Sequence, residues 1–455
     1  MSIQTAIKAL ESGLDGRLIR PGDADYDAMR AVLYGGMDFR PAAISLAKSV
    51  KDIQKFVATA AQMRVEFAIR SGGHSAAGHS SSNGGLVLDL REMKAIDIDE
   101  ATKTVWAETG LTAIELTEAV LKYNLVVGFG DAGTVGLGGI TLGGGVGYLS
   151  RKWGLTIDSL LAAEIVTADG KLHTVDATHE PDLFWAIRGG GGNFGVVTRL
   201  QFQARELAAF TGGLLVLPGT AETIAAFTAA AQAAPEALST IATVMPAPPA
   251  PFIPDAYRGQ PVIFAMMAYA GPDGMAEAAM VPFRALSPLF DAVKPGPLLS
   301  LYEDGPMEPP GFPETRTFFV DRVSKDDAQT ILGFLTESDS VLRLVQIRVL
   351  GGAANRVAVA DTAYAHRGAP ILLYVANFYS DKADRPKRRE WADDLMSALQ
   401  QGREGAYVNF LGDEGAARTR SAYPGATWER LRRIKRQYDP QNLFRRNQNI
   451  PPAAE

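Results

Sequence analysis

The chain carries five histidines, and two of them, His74 and His79, stand in the run RSGGHSAAGHSSSNGG, residues 70–85. An imidazole among glycines and serines, directly after the strand-like VEFAI, is open to close approach by a ligand. It could act as a nucleophile, as a metal ligand or as a hydrogen-bonded loop residue. The H-x-x-x-x-H spacing has no carboxylate cluster beside it, which argues against a metal. Cysteine is absent, so disulfides, thiolate nucleophiles and cysteine-ligated metals are excluded.

Two further loops, 128–147 and 189–195, are also dense in glycine. Backbone N–H groups with no side chains in the way form anion-binding concavities. One phosphate needs one such loop. Three suggest a long ligand with a pyrophosphate and a flat ring, a dinucleotide; the plainer alternative is tight turns in a large fold. GFGDAG places Gly128, Gly130 and Gly133 in a G-x-G-x-x-G pattern. Glycines continue to Gly154, however, so no helix is expected after it, and a nicotinamide-dinucleotide fold needs that helix. The match is read as accidental.

These loops need elements to hold them. SVKDIQKFVATAAQM and LTAIELTEAVLKYN have helical spacing, and GLVLDLRE, KAIDID and TVWAETG read as short strands. LLAAEIVTADGKLHTV predicts two strands joined at Asp169-Gly170. After about residue 205, alanine-rich helices alternate with the strands PVIFAMMAYA, LRLVQIRVL and ILLYVANFY, with PAPPAPFIPDAY as a loop. A basic helix with Arg430, Arg432, Arg433, Lys435 and Arg436 stops near Asp439-Pro440 and reads as a solvated face. A chain of 455 residues suggests two or three domains. Its net charge of −6 argues against nucleic acid as a partner. No apolar run is long enough to cross a bilayer and the N-terminus has no signal pattern, so a cytoplasmic protein with no membrane partner is expected.

RSGGHS, GLVLDL, TVGLGGITLGGGVGYLSRKWGLTIDSL, DLFWAIRGGGGNFGVVT and RLRRIKRQYDPQNLFRRNQNIPP together resemble the berberine bridge enzyme-like FAD-linked oxidases of the vanillyl-alcohol oxidase and p-cresol methylhydroxylase superfamily. VLGGA (349–353) and YVNFLGDEG (407–415) extend the likeness through the middle of the chain. The resemblance implies an α+β fold. A split FAD-binding domain would span 1–205, a substrate domain with an antiparallel sheet backed by helices 206–418, and a C-terminal segment returning to the FAD domain 419–455.

It also implies FAD bonded covalently to His74. Many relatives add a second bond from a cysteine in C-P-T-V-G. Here Ala132 holds that place, so the tether is expected through His74 only. The implied cofactor residues are Arg70, Ser71, Gly72, Gly73, Ser75, Gly78 and His79 in the first loop. Thr134, Val135, Gly138, Gly139, Thr141, Gly144 and Gly147 follow in the second, then Asn193 and Val197, with Asn447 and Gln448 from the tail. Val135 matches a position that gates oxygen, where valine accompanies oxidases.

Substrate oxidation needs a hydride acceptor and a base for the departing proton. Relatives draw the base from a tyrosine in GGGYG, which here reads GGGVG with Val146. A second source is a strand matched by ILLYVANFYS; setting Phe378 at the family aromatic puts Ile371 and Leu373 at its base positions. The remaining candidates are Tyr423, Asn377, and the alternating pair Gln346 and Arg348, which share one strand face. Arg348 could instead stabilise an anionic substrate or a reduced flavin. The expected function is oxidation of a small alcohol, amine or phenol with molecular oxygen as acceptor. A carbohydrate oxidase, or a flavin-binding protein that has lost catalysis, are the alternatives. The assembly is expected to be a monomer or homodimer.

Overall fold

The computed structural model of the protein describes residues 3–302 and 311–454. Helix Val50–Met63 starts on Ser49, whose side chain accepts the Asp52 N–H, and buries Ile53, Phe56, Val57 and Ala60. It covers a four-stranded sheet of β1 (Arg17–Ile19), β2 (Ala43–Leu46), β3 (Phe67–Arg70) and β4 (Leu86–Asp89), in the order β1-β2-β4-β3. β4 runs parallel to β2 and β3. Residues 71–85 therefore leave the carboxyl end of a parallel strand.

A second sheet is antiparallel. It holds β5 (Ile96–Asp99) and β6 (Thr104–Glu108). After β7 (Leu125–Val126) come its other strands, β8 (Leu160–Val166), β9 (Leu172–Asp176) and β10 (Val196–Gln203). Its order is β5-β6-β10-β8-β9. β7 pairs antiparallel with β11 (Arg205–Glu206). The β8–β9 hairpin turns at Asp169-Gly170 as expected, with Gly170 at φ +77°.

One expectation fails here. A helix, Leu137–Gly143, does follow GFGDAG. It is enclosed on nearly every side, and a Cβ on Gly143 would lie 1.9 Å from Asn409 Oδ1. Close packing outweighs the poor helix propensity of glycine. The preceding β7 is a two-residue antiparallel strand, so no parallel βαβ unit forms and the Rossmann reading still lapses.

The third sheet holds β12 (Phe210–Pro218), β13 (Leu238–Pro246), β14 (Pro261–Ala270), β15 (Phe290–Asp291), β16 (Lys294–Pro295), β17 (Phe312–Val320), β18 (Leu342–Val349) and β19 (Ile371–Tyr379). Its order is β15-β12-β14-β13-β18-β19-β17, with β16 on β12, and all pairs are antiparallel. Helices Ala221–Ala233, Asp273–Arg284, Lys325–Glu337 and Arg385–Leu399 cover one face. There Leu215, Val244, Ala265, Phe318, Val345, Ile347, Leu373 and Val375 form a core with Phe227, Phe283, Ile331 and Leu395. The opposite, inner face turns toward the 128–150 segment. β17 escapes the sequence pattern because its helix-side positions include Glu314 and Arg316, buried and paired to each other at 3.7 Å. No helix among the described residues is long and apolar enough to cross a membrane.

Candidate active site

Ligands of open α/β sheets bind at the carboxyl ends of parallel strands, and His74 stands there. Arg70 ends β3 with its guanidinium buried. It donates to Ser80 O at 3.0 Å and to the carbonyls of Met29, Arg30 and Ala31, with Asp89 3.6 Å away. Burial lowers its pKa to about 10. Arg70 therefore braces the loop, its donors committed to protein oxygens. Ser71 Oγ donates to Thr109 O at 2.6 Å, Gly78 N–H to Ser75 O at 3.0 Å, and His79 N–H to Ser75 Oγ at 3.2 Å. Gly72 meets Gly136 backbone to backbone: a Cβ on Gly72 would lie 2.1 Å from Gly136 N. The first two glycine loops are thus pressed together.

His74 is half-buried, with Nε2 3.0 Å from Thr134 Oγ1. Burial lowers its pKa, so the ring is neutral at pH 7. Burial takes His79 further down, to about 4. A cavity of about 300 Å³ opens beside His74, lined by Ser71, Gly72, Gly73, Gly110 and Thr134 together with Val32 and Leu33. Val135 is half-buried next to it, while Gly138, Thr141, Gly144 and Gly147 are buried and Gly139 is exposed.

The third glycine loop is clamped to the tail. Asn193 donates to Gly190 O at 2.9 Å and Gln448 O at 3.2 Å, and its Oδ1 accepts the Ile450 N–H at 2.9 Å. Asn447 donates to Gly192 O at 3.0 Å, and Gln448 to Leu411 O and Gly412 O at 3.1 Å. Val197 packs in the core and its carbonyl accepts Thr109 Oγ1–H at 2.6 Å. The basic helix is not wholly solvated. Lys435 is 0% exposed and donates to Asn193 O, Asp439 Oδ2 and Phe444 O at 2.7, 2.6 and 2.8 Å.

On the inner face of the third sheet, register decides which side chains meet. Directly paired residues share a face, and Gln346 pairs with Tyr374 and Thr243, Arg348 with Leu372 and Ile241. Arg348 Nε donates to Gln346 Oε1 at 2.8 Å, and Gln346 Nε2 to Thr243 Oγ1 at 3.2 Å. Arg348 also crosses to the 128–136 loop, donating to Asp131 Oδ2 at 2.6 Å, and lies 4.8 Å from the Phe410 ring centroid. Leu214, Thr243, Phe264, Met266, Gln346 and Tyr374 are only half-buried, whereas the helix-covered face is sealed. The inner face is the less buried of the two.

Three readings are corrected, two by this register and that of Tyr423 by its packing. Asn377 pairs with Arg343 and Glu314; it is 0% exposed on the helix-covered face, away from Gln346 and Arg348. Ile371 and Leu373 face the same helical core. The inner positions are Leu372, Tyr374, Ala376 and Phe378, because side chains alternate with period 2 and Phe378 has even parity. Tyr423 lies in a packed core, stacked on Trp428, with its hydroxyl donating to Gly189 O at 3.1 Å. Burial drives its pKa far above 10, which makes it a poor base. Sequence reasoning missed Asp131, Tyr34 and Tyr374. Parity with Phe378 would have found Tyr374; nothing in GFGDAG marks Asp131.

Do these residues suit FAD? Ser80, Ser81 and Thr141 on the first two loops, and Asn447 in the tail, each present a buried side-chain oxygen with no partner in the protein. Such groups call for a polar ligand or water. The neutral His74 beside a small-residue cavity suits a covalently held ring. The residues fit the group.

Residues 41–176 match the FAD binding domain family model, and residues 406–451 match the berberine and berberine-like model. An uncharacterized FAD-linked oxidoreductase of Bacillus subtilis, YgaK, is 32% identical across 96% of this chain and 97% of its own length. (R)-6-hydroxynicotine oxidase of Paenarthrobacter nicotinovorans is 29% identical over 97% of this chain and 98% of its own. The crystal structure of 6-hydroxy-D-nicotine oxidase from Arthrobacter nicotinovorans superimposes with a TM-score of 0.85 at 27% identity, over 97% of this chain and 99% of that one. The α+β expectation holds, and the chain belongs to the berberine bridge enzyme-like FAD-linked oxidoreductases.

Proposed function

We propose that this enzyme is an oxidase that holds FAD covalently through His74 alone, oxidises a small alcohol, amine or phenol, and uses molecular oxygen as electron acceptor. The observation that carries this reading is the neutral, half-buried His74 at the mouth of a small-residue cavity, with its Nε2 against Thr134 Oγ1. That contact leaves Nδ1 as the nitrogen available to form the tether. Ala132 and the lack of any cysteine support a single bond. Bound FAD supplies the hydride acceptor, and the protein contributes binding, orientation and electrostatics.

Ser71, Gly72, Gly73, Ser75 and Gly78 would cradle the pyrophosphate with backbone N–H groups. Gly138, Gly139, Thr141, Gly144 and Gly147 would line the second loop, with Val135 setting access for oxygen. Lys435 and Asn193 hold the third loop against the tail, where Asn447 and Gln448 sit. The inner face offers Leu214, Phe264 and Met266 as an apolar wall and Thr243, Gln346 and Tyr374 as hydrogen-bonding groups. This favours a compact, partly apolar substrate. With no base at Val146, positioning carries much of the rate.

Acid-precipitated protein should stay yellow, and His74→Ala should release its flavin into the supernatant. Complete release from the native protein defeats the tether. A panel including (R)-6-hydroxynicotine, benzyl alcohol, benzylamine and cellobiose should contain a compound that bleaches the flavin without air and yields hydrogen peroxide in air. A panel of this kind with no bleaching at all counts against an active oxidase.

A further inference from the structure

The usual base positions are apolar or face the wrong way, yet a carboxylate, that of Asp131, reaches the inner face of the third sheet at Arg348. Asp131 stands on the 128–136 loop, three residues before Thr134, the partner of His74. Its side chain is 28% exposed while that of Arg348 is 4% exposed, and the two meet at 2.6 Å. Arg348 is in turn held by Gln346 Oε1 at 2.8 Å and by the Phe410 ring. The charge of Asp131 is felt by His74 and by Tyr34, Tyr302 and Tyr374. The loop that carries Asp131 therefore touches both His74, through Thr134, and the third sheet, through Arg348. The hydroxyls of Tyr34 and Tyr374 share a hydrogen bond, and burial raises the pKa of Tyr34 to about 12 and that of Tyr374 higher still. Both stay protonated at neutral pH and serve as donors rather than bases.

We propose that Asp131 is the catalytic residue that receives the substrate's hydroxyl or amine proton, and that Arg348 and Gln346 position it. The proposal rests on the flavin reading and deepens it. An alcohol or amine loses a hydride from carbon, for which FAD is the acceptor, and a proton from oxygen or nitrogen, which passes to Asp131 Oδ. The product is the carbonyl or imine. Arg348 holds one carboxylate oxygen, leaving the other for the substrate. The half-buried Met266, packed with Tyr148 and Tyr302, offers an apolar surface to the rest of the molecule. The substrate class is thus a compact molecule with an O–H or N–H donor beside the carbon that is oxidised.

The test uses purified flavin-loaded protein. It is titrated with benzamidine, an aromatic cation with N–H donors, and with benzoate, its anionic counterpart, following the flavin visible band. Asp131→Asn should weaken benzamidine roughly tenfold or more and tighten benzoate, because Arg348 then lacks its anion; Arg348→Lys should keep the wild-type preference. In the anaerobic reaction with the panel compound that bleaches the flavin fastest, Asp131→Asn should slow reduction by ~100-fold or more. No spectral response to benzamidine in the wild type, unchanged benzamidine affinity in Asp131→Asn, or a slowing under tenfold each overturns the proposal. A colourless purified protein overturns the flavin reading itself, whereas a yellow protein blind to Asp131→Asn overturns only the role of Asp131.

Discussion

The glycine loops and the inner face of the third sheet meet at one site but are built from different materials. The loops work through backbone. Gly72 and Gly136 approach too closely for any side chain, Arg70 spends its donors on carbonyls, and the third loop is tied to the tail by amide side chains and a buried lysine. The inner face works through side chains, Gln346, Arg348 and Tyr374 above all, set by strand register. A backbone site needs particular residue types at particular places. A side-chain site on a sheet needs only the right parity and partners, and many sequences supply that. The glycine loops are accordingly specific in type, and the inner face is specific in arrangement.

The contrast breaks first at Lys435. Replacing it with methionine leaves Asp439 buried without its partner charge, still accepting the N–H groups of Leu443 and Phe444 at 2.7 and 2.8 Å. Breaking a buried pair in this way costs ~3–5 kcal/mol. Denaturant titration should show that loss, with the visible band of the tethered flavin shifting to its solvent-exposed form in the same transition. A change under about 1 kcal/mol would mean that the clamp does not hold the cofactor side.

Two glycine substitutions sharpen the comparison. Gly72→Ala forces a carbon against Gly136 N and should destabilise the protein by about 2–3 kcal/mol, within the range of severe backbone clashes. Gly139→Ala meets nothing within 4 Å and sits in the helix Leu137–Gly143, so the protein should keep or gain stability, by up to ~1 kcal/mol. If Gly139 also lies against the cofactor, the second variant should bind less flavin while melting no lower. Similar thermal behaviour of the two variants would show that the loops are not pressed together as described.

The smallest effect belongs to Tyr423→Phe. It removes one hydrogen bond, to Gly189 O, and should cost ~1 kcal/mol. Anaerobic flavin reduction should slow by less than tenfold, in contrast to Asp131→Asn. A loss of 100-fold or more with unchanged melting would return Tyr423 to the list of bases and move the chemistry to the glycine loops.

How much was legible follows the same division. RSGGHS and the GGGVG run were legible as places of close backbone approach, which admits glycine and little else, whereas the DPQNLF tail was legible only through the family resemblance. Gln346 and Arg348 were legible as a same-face pair, since strand alternation is a local rule. Asn377, Ile371 and Leu373 were misplaced by one residue of parity. Glycine propensity misjudged the helix at Leu137–Gly143, where enclosure by neighbours outweighs the entropic cost.

By itself the sequence determined what is local in physics: turn and loop chemistry, the absence of cysteine at Ala132 and everywhere else, and the strand and helix periodicities of single segments. Only the tertiary structure decided which face of β18 and β19 is the inner one, that Lys435 is buried rather than solvated, and that Asp131 meets Arg348 across 217 residues of chain. Those outcomes depend on contacts between distant segments, and distance along the chain leaves no mark in composition or spacing.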